Sequence, residues 1–170
     1  MVSYSHIATT MVPHRTQFLL LEALLIPTIV CAADFYGPVV STLDGDTIEV
    51  LHIQHPERIR LSGIDCPEKS QAYGQKAKHA ASALVFGKEV TLQTYGTDKY
   101  GRTVAEVLLS DGTNVNHTLV KDGWCWWYRK YAPGNTELER LETERERAGR
   151  GLRPPSSFRE QPAHTEEDSP

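Results

Sequence analysis

Two short segments place carboxylates where the chain is expected to turn. Asp44-Gly-Asp-Thr47 carries two of them around a glycine, and a Pro-fixed turn follows Asp65 and Cys66. Hard divalent cations bind carboxylate and main-chain oxygens, so Asp46, Asp65 and the Cys66 carbonyl are candidate ligands if their strands are neighbours. The alternative for the first segment is an ordinary Asp-Gly turn without chemistry.

Two arginines accompany these carboxylates in the sequence. Arg60 precedes Asp65 by five residues on a predicted strand, and Glu68 follows the turn. A third segment, Thr97-Asp-Lys-Tyr-Gly-Arg102, ends in an arginine that could face the same pocket from the start of a later strand. The alternatives are an Arg-Asp surface pair of little energetic value and a basic hairpin.

The elements that must position these residues follow from hydrophobic periodicity. Short alternating runs predict strands, whereas apolar residues at a spacing of three or four from Tyr73 onwards predict a helix that Gly87 ends. The predicted strands span about 38–43, 47–53, 57–64, 88–95 and 102–109, and later helices span about 114–121 and 136–148. This βββαββαα order predicts a mainly β fold with packed helices, a five-stranded OB-fold barrel. An α+β sandwich is the alternative.

Composition bounds the class of protein. The chain has 170 residues, 39% hydrophobic and 24% charged, with a formal net charge of -4. Its mean hydropathy of -0.41 excludes a polytopic membrane protein, and the composition excludes a collagen-like or wholly disordered chain. The negative balance argues against nucleic-acid binding through bulk positive charge, so a polyanion would need a local site.

The two ends of the chain differ from its middle. Residues 1–33 contain a short apolar run after His14 and Arg15 and end in Cys31-Ala-Ala, the layout of a cleavable signal peptide. We therefore expect a periplasmic or secreted protein, with an uncleaved leader that tethers the chain to a membrane as the alternative. Residues 34–152 form the predicted domain, and 153–170, which carry four prolines, are predicted to be a disordered tail.

Two cysteines, Cys66 and Cys125, remain after such a cleavage. In an oxidising compartment they permit one disulfide, and otherwise they are small buried hydrophobic residues. No Cys-x-x-Cys motif and no zinc-type Cys/His spacing is present in the sequence.

Together, these segments resemble the staphylococcal nuclease-like (thermonuclease) family. The resemblance extends from about Gly37 to Gly151 through several motifs in the family's order: LDGDT at 43–47, IRLSGIDCPE at 59–68, YG at 73–74, DKYGR at 98–102, NVN at 114–116 and GWCWWY at 123–128. That family is an OB-fold phosphodiesterase that uses Ca²⁺ to cleave DNA and RNA. The resemblance therefore implies a calcium-dependent endonuclease with DNA and RNA as substrates, which we expect to act as a monomer.

The resemblance also implies roles for the candidate metal-binding residues. Asp46 and Asp65 match the family's metal carboxylates, and Cys66 stands where the main-chain carbonyl is a ligand. The family fold brings the segment around Cys125 beside the strand that ends at Cys66, so the resemblance predicts a disulfide between these cysteines.

Further roles concern the substrate. Arg60 and Arg102 match the two arginines that bind the scissile phosphate, and Glu68 matches the carboxylate near the attacking water, either as general base or by orienting it. A weaker correspondence places three residues near a terminal phosphate: Lys99, Tyr128 and Tyr131. The tryptophans between Gly123 and Tyr128 are predicted to pack against the barrel rather than to stack on bases.

A different class of function is a catalytically silent OB-fold module that binds nucleic acid or a protein. Degenerate domains of this kind lose some of the acidic or arginine positions. Here all five are present, which favours an enzyme: Asp46, Arg60, Asp65, Glu68 and Arg102.

Overall fold

The strands form a closed five-stranded barrel against which the helices pack. The computed structural model describes residues 34–151. Its elements are β1 (Phe35–Thr42), β2 (Thr47–His52), β3 (His55–Leu61), β4 (Ile64–Asp65), α1 (Gly74–Val85), β5 (Glu89–Thr97), β6 (Thr103–Leu109), α2 (Val115–Lys121), β7 (Trp126–Trp127) and α3 (Thr136–Arg147). The barrel order is β1-β2-β3-β6-β5. This confirms the predicted barrel with packed helices and excludes the sandwich.

Strand pairing brings three chain segments to one end of the barrel. The strands β1, β2 and β3 are an antiparallel meander, in which Thr47 of β2 pairs with Arg60 of β3. Strand β3 then pairs in parallel with β6, so that Arg60 lies opposite Val104. Strand β5 closes the barrel by pairing with β1. The turn before β2, the end of β3 and the loop before β6 therefore meet, although they are far apart in sequence.

Alternating strand residues and one face of α1 fill the core. The barrel positions that are almost fully buried are Val39, Ile48, Val50, Ile59, Leu61, Val90, Leu92, Ala105 and Val107. Helix α1 adds Ala77, Ala81 and Val85, whose spacing of four places them on one face. Full burial of each branched aliphatic side chain contributes roughly 1.5–3 kcal/mol, so this core is the main source of stability.

Helix α2 is attached to the barrel through one buried amide. Its N-cap is Asn114, whose side chain accepts the His117 main-chain N–H. Asn116 accepts the N–H of Val107 at 3.1 Å and donates to the carbonyl of Ser62 at 2.9 Å. Helix α2, strand β6 and the turn after β3 are thereby held together.

The third strand is shorter than predicted. It ends at Leu61, and Gly63 adopts a φ of 72°, a left-handed conformation that breaks a continuous strand. The chain resumes as β4, which pairs with β7 so that Asp65 lies opposite Trp126. Trp126 and Trp127 are 6% and 5% exposed, as core packing of the aromatic cluster predicts.

Two predicted segments, the signal peptide over 1–33 and the tail over 153–170, lie outside the described residues. Among the helices of residues 34–151, none has the length and apolar character that a membrane span requires.

Candidate functional site

Asp46 lies in the turn between β1 and β2, and Gly45 allows that turn to pack closely. A Cβ on Gly45 would lie 2.7 Å from the Cβ of Cys66 and 3.0 Å from the Cβ of Ala77. The Asp44 carboxylate accepts the main-chain N–H of Asp46 at 3.2 Å, which shapes the turn. A larger residue at position 45 would therefore push the two acidic segments apart.

The Asp46 side chain is buried and fully engaged. Its Oδ2 accepts the main-chain N–H of Cys66 at 2.9 Å, and its Oδ1 accepts the Thr47 hydroxyl at 3.2 Å. Arg60 Nη1 also lies 2.9 Å from Oδ2. Burial raises the pKa of Asp46 to about 8, and the positive charge of Arg60 only partly offsets it. This carboxylate is thus short of compensating positive charge.

Arg60 joins Asp46 to the second carboxylate. Its Nη2 donates to Asp65 Oδ1 at 2.8 Å, and its side chain is only 14% exposed. Burial raises the pKa of Asp65 as well, against the lowering effect of Arg60. We call Asp46, Arg60 and Asp65 the carboxylate cluster. Two carboxylates share one guanidinium in it, so one negative charge is left without a partner whenever both carboxylates are ionised.

The carboxylate cluster fits a hard divalent cation. Asp46 and Asp65 offer carboxylate oxygens, and the intervening fold brings the Cys66 main chain against Asp46. Calcium takes such oxygen ligands and completes its shell with water. Within residues 34–151, no group of three or more His, Cys, Asp or Glu side chains is arranged to hold a metal ion. The candidate ligands of the cluster are therefore two carboxylates and a main-chain carbonyl.

Glu68 lies on an exposed loop beside this cluster. The Glu68 main-chain N–H donates to Gln71 Oε1 at 2.9 Å, and the Gln71 N–H donates back to the Glu68 carbonyl at 2.7 Å. Gly74 packs so close to that carbonyl that a Cβ would overlap it. We call residues 68–73 the Glu68 loop. Local hydrogen bonds fix its main chain while the Glu68 side chain stays in solvent.

Arg102 reaches the same end of the barrel from the loop before β6. Its Nε donates to Asp98 Oδ2 at 2.7 Å, and its Nη1 lies 3.4 Å from the Thr47 hydroxyl that contacts Asp46. Burial acts to raise the pKa of Asp98, but hydrogen bonds from Arg102 and Tyr100 outweigh it and bring that pKa below its usual value. Asp98 is therefore charged at neutral pH and orients Arg102.

The three weaker candidates border this site. Tyr128 donates its main-chain N–H to the Gly63 carbonyl at 2.9 Å, and its ring meets that of Tyr131 edge-on at 4.8 Å. Burial raises the pKa of Tyr128, the charges of Tyr131 and Asp65 act in the same direction, and those of Arg60 and Lys99 act to lower it. Lys99 itself lies 5.0 Å from the ring of Tyr100.

Residues 58–152 match a family described as Staphylococcal nuclease homologue. The chain belongs to the staphylococcal nuclease family. The match includes every candidate site residue except Asp46, which lies before its first residue.

Several curated proteins resemble this nuclease homologue over most of their length. A protein of Escherichia coli O157:H7 named uncharacterized endonuclease is 44% identical over 125 residues, covering 72% of this chain and 80% of that protein. The micrococcal nuclease of Shigella flexneri is 38% identical over 137 residues, covering 75% and 79%. An uncharacterized endonuclease of Haemophilus influenzae is 39% identical over 130 residues, covering 74% and 72%.

A disulfide lies directly beneath the acidic turns of this staphylococcal nuclease homologue. Cys66 and Cys125, the pair that the sequence resemblance indicates, are joined with their Cα atoms 4.3 Å apart. The Cys66 sulfur also lies 3.0 Å from the position of a Cβ on Gly45. The bond thus joins the Asp65–Cys66 segment to the chain before β7, next to the turn that carries Asp46.

Three site residues were not identified from the sequence of this nuclease homologue: Thr47, Gln71 and Asp98. The signal for Asp98 was available, because an aspartate four residues before an arginine in a tight loop commonly pairs with it. Gln71 and Thr47 give no such signal, because a hydroxyl or amide becomes a site group only through its position in the fold.

Proposed function

We propose that this protein is an exported, calcium-dependent endonuclease that hydrolyses phosphodiester bonds of DNA and RNA. One observation carries the proposal: the barrel brings two carboxylates, two arginines and an exposed glutamate to one end, from three separate segments. Membership of the staphylococcal nuclease family and the names of the bacterial relatives support nucleic acid as substrate.

Asp46, Asp65 and the Cys66 carbonyl would hold the calcium ion. When bound, Ca²⁺ polarises a phosphoryl oxygen and offsets developing negative charge. The Asp46 oxygens are already oriented by the Cys66 N–H and the Thr47 hydroxyl. Little reorganisation of the protein is then needed, and such preorganisation is the main source of electrostatic catalysis.

The two arginines would bind the scissile phosphate. Arg102 is held by Asp98 through Nε and Nη2, and its Nη1 lies near the Thr47 hydroxyl. Each terminal nitrogen carries a second N–H, which can donate to a phosphate oxygen. Arg60 directs both terminal nitrogens at the carboxylates, so phosphate binding requires it to exchange or share one of these contacts. A guanidinium suits this role because its five donors can contact carboxylate and phosphate together.

Glu68 would accept the proton of the attacking water or orient that water. Its side chain is exposed to solvent beside the cluster, where an incoming water is available. In hydrolysis, the water oxygen attacks phosphorus and gives one proton to the base, while the P–O bond to the leaving sugar breaks and the sugar oxygen takes up a proton from solvent.

We further propose that the protein is exported and acts as a monomer. A signal peptide over residues 1–33 would deliver the chain to the periplasm or medium, and the alternative is tethering by an uncleaved leader. A disulfide between Cys66 and Cys125 supports an oxidising compartment, since cytosolic thiols are kept reduced.

The test is degradation of single-stranded DNA and of RNA by the purified protein. We expect cleavage in calcium and its loss in a chelator, with recovery when calcium is restored. The variant Arg102→Ala should be inactive, and Lys121→Ala, an exposed position on α2, should match the wild type. No cleavage by wild-type protein in calcium, with the oligonucleotide still bound, would instead support a silent binding module.

A further inference from the structure

The segment that contains α1 and its two ends differs in charge from the rest of the described chain. Residues 69–88 contain four lysines and one histidine and no carboxylate, whereas the remaining described residues carry 11 basic against 17 acidic side chains. Helix α3 shows the usual arrangement of a solvated helix, in which Arg140 pairs with Glu137 and Glu144. Within residues 34–151, Lys76 and Lys78 have no ion-pair partner.

Aromatic residues lie at both ends of the exposed face of α1. Tyr73 and Phe86 are 51% and 59% exposed. Between them, residues at a spacing of three or four are also exposed, which places one continuous row along the helix. We call this row the α1 stripe: Tyr73, Lys76, His79, Ala83 and Phe86. Its residues face away from the buried side of the helix, and α1 packs on the barrel without them.

The α1 stripe begins beside the Glu68 loop. Tyr73 is the last residue of that loop, and Gly74 contacts the Glu68 carbonyl. The Lys76 amine lies 5.0 Å from the centre of the Tyr73 ring, so a cation and an aromatic face are offered together. Tyr73 also has a φ of 67°, an unfavourable conformation for a tyrosine, which the loop and the helix start impose.

We infer that the α1 stripe binds the nucleic-acid strand beyond the scissile phosphate, with Tyr73 stacking on a base and Lys76 contacting the backbone. This inference rests on the proposed nuclease function. Proteins that bind single strands without sequence preference combine exposed aromatics with a positively charged surface, which is the composition of the stripe. A nucleic-acid strand offers bases for the two exposed aromatic rings and phosphates for the unpaired cations between them. An acidic protein would pair with the cations but leave the rings without a stacking partner.

The experiment compares oligonucleotides of two to about twelve nucleotides, because only the longer strands reach the stripe. For the wild type we expect KM to fall as the strand lengthens. In Tyr73→Ala and Lys76→Ala, KM for the longest strand should rise about tenfold relative to KM for the shortest, the effect of losing one stacking or phosphate contact. Tyr36→Ala and Lys121→Ala, at exposed positions on β1 and α2, are the matched controls.

Two readouts separate binding from a structural effect. Lys76→Ala should reduce the slope of log KM against log salt concentration by about 0.7, the contribution of one phosphate contact on a single strand. Tyr73→Trp should restore the wild-type length dependence because it keeps an aromatic face. An unchanged length dependence in both alanine variants would overturn the inference. This is also the result expected if the stripe binds a protein partner instead of a nucleic-acid strand.

Failure of the proposed function gives a different result. If the wild type cleaves no strand in calcium, the nuclease proposal fails. Fluorescence anisotropy of the labelled twelve-nucleotide strand then decides the inference without any turnover. Weaker binding by Tyr73→Ala and Lys76→Ala than by their controls supports the stripe, and equal binding overturns it.

Discussion

The carboxylate cluster and the Glu68 loop lie side by side and are held in different ways. Asp46 is buried and Arg60 is half-buried; they contact each other between the turn before β2 and strand β3, and Asp46 also accepts the main-chain N–H of Cys66, 20 positions away. The Glu68 loop is exposed and is held by hydrogen bonds within a few residues, chiefly through Gln71. One half of the site depends on the whole fold, and the other depends on a local turn.

This difference has a physical reason. Carboxylates and arginines bind a cation and a phosphate strongly only if they are held at fixed distances in an environment of low dielectric constant. A group that exchanges protons with water must instead reach solvent. We therefore expect changes in the cluster to alter stability and metal binding together, and changes in the loop to alter turnover alone.

The largest expected effect concerns the disulfide beneath the cluster. Removing it in Cys66→Ala/Cys125→Ala should lower the free energy of unfolding by up to about 4 kcal/mol, because the bond links residues separated by 59 positions. It should also weaken calcium binding, since the Cys66 N–H orients Asp46. Urea unfolding and calcium titration measure both effects.

Reduction provides the control for this variant. A thiol reductant should change the wild type in the same direction and leave the double variant unchanged. Two free thiols in alkylated, unreduced protein would show that the bond does not form.

Arg60→Lys tests the centre of the cluster. Lysine keeps the charge but cannot contact Asp46 and Asp65 through two nitrogens while donating to phosphate, so the rate should fall about 10²–10³-fold. The matched control is Arg58→Lys, on the same strand but exposed and paired with Glu49. Steady-state kinetics decide the matter, and near-wild-type turnover of Arg60→Lys would remove the assigned role.

Glu68→Gln tests the other half of the comparison. The glutamine cannot accept a proton, so turnover should fall by about 10²-fold, while calcium affinity and unfolding stay at wild-type values. Glu89→Gln, an exposed position at the start of β5, should change neither. A collapse of calcium affinity in Glu68→Gln would make Glu68 a metal ligand and place it with the cluster.

The smallest effect is expected for Gln71→Ala, which removes the side-chain acceptor of the Glu68 N–H. Because the loop is exposed, the free energy of unfolding should change by less than about 0.5 kcal/mol. Turnover should fall by a few-fold, because one exposed hydrogen bond contributes about 1 kcal/mol or less. A loss of stability comparable to that of the disulfide variant would show that loop and cluster are one unit.

Sequence periodicity predicted most of the strands, the helices and their order, because these follow from residues close in the chain, and it left a barrel and an α+β sandwich as alternatives. Alternation places Val50 and Ile59 inside, and the spacing of Ala77, Ala81 and Val85 defines the buried face of α1. The motifs also named the charged residues of the site, since their types suffice to indicate cation and phosphate chemistry.

The contacts among those residues were decided by the tertiary structure. The parallel pairing of β3 with β6 brings Arg102 within reach of Thr47, and the turn at Gly63 moves Asp65 onto a separate strand. Neither can be deduced from local pattern, because both depend on which distant strands pair. The sequence thus determined which groups are present, and the closed barrel decided their distances and burial, because only packing removes charges from water.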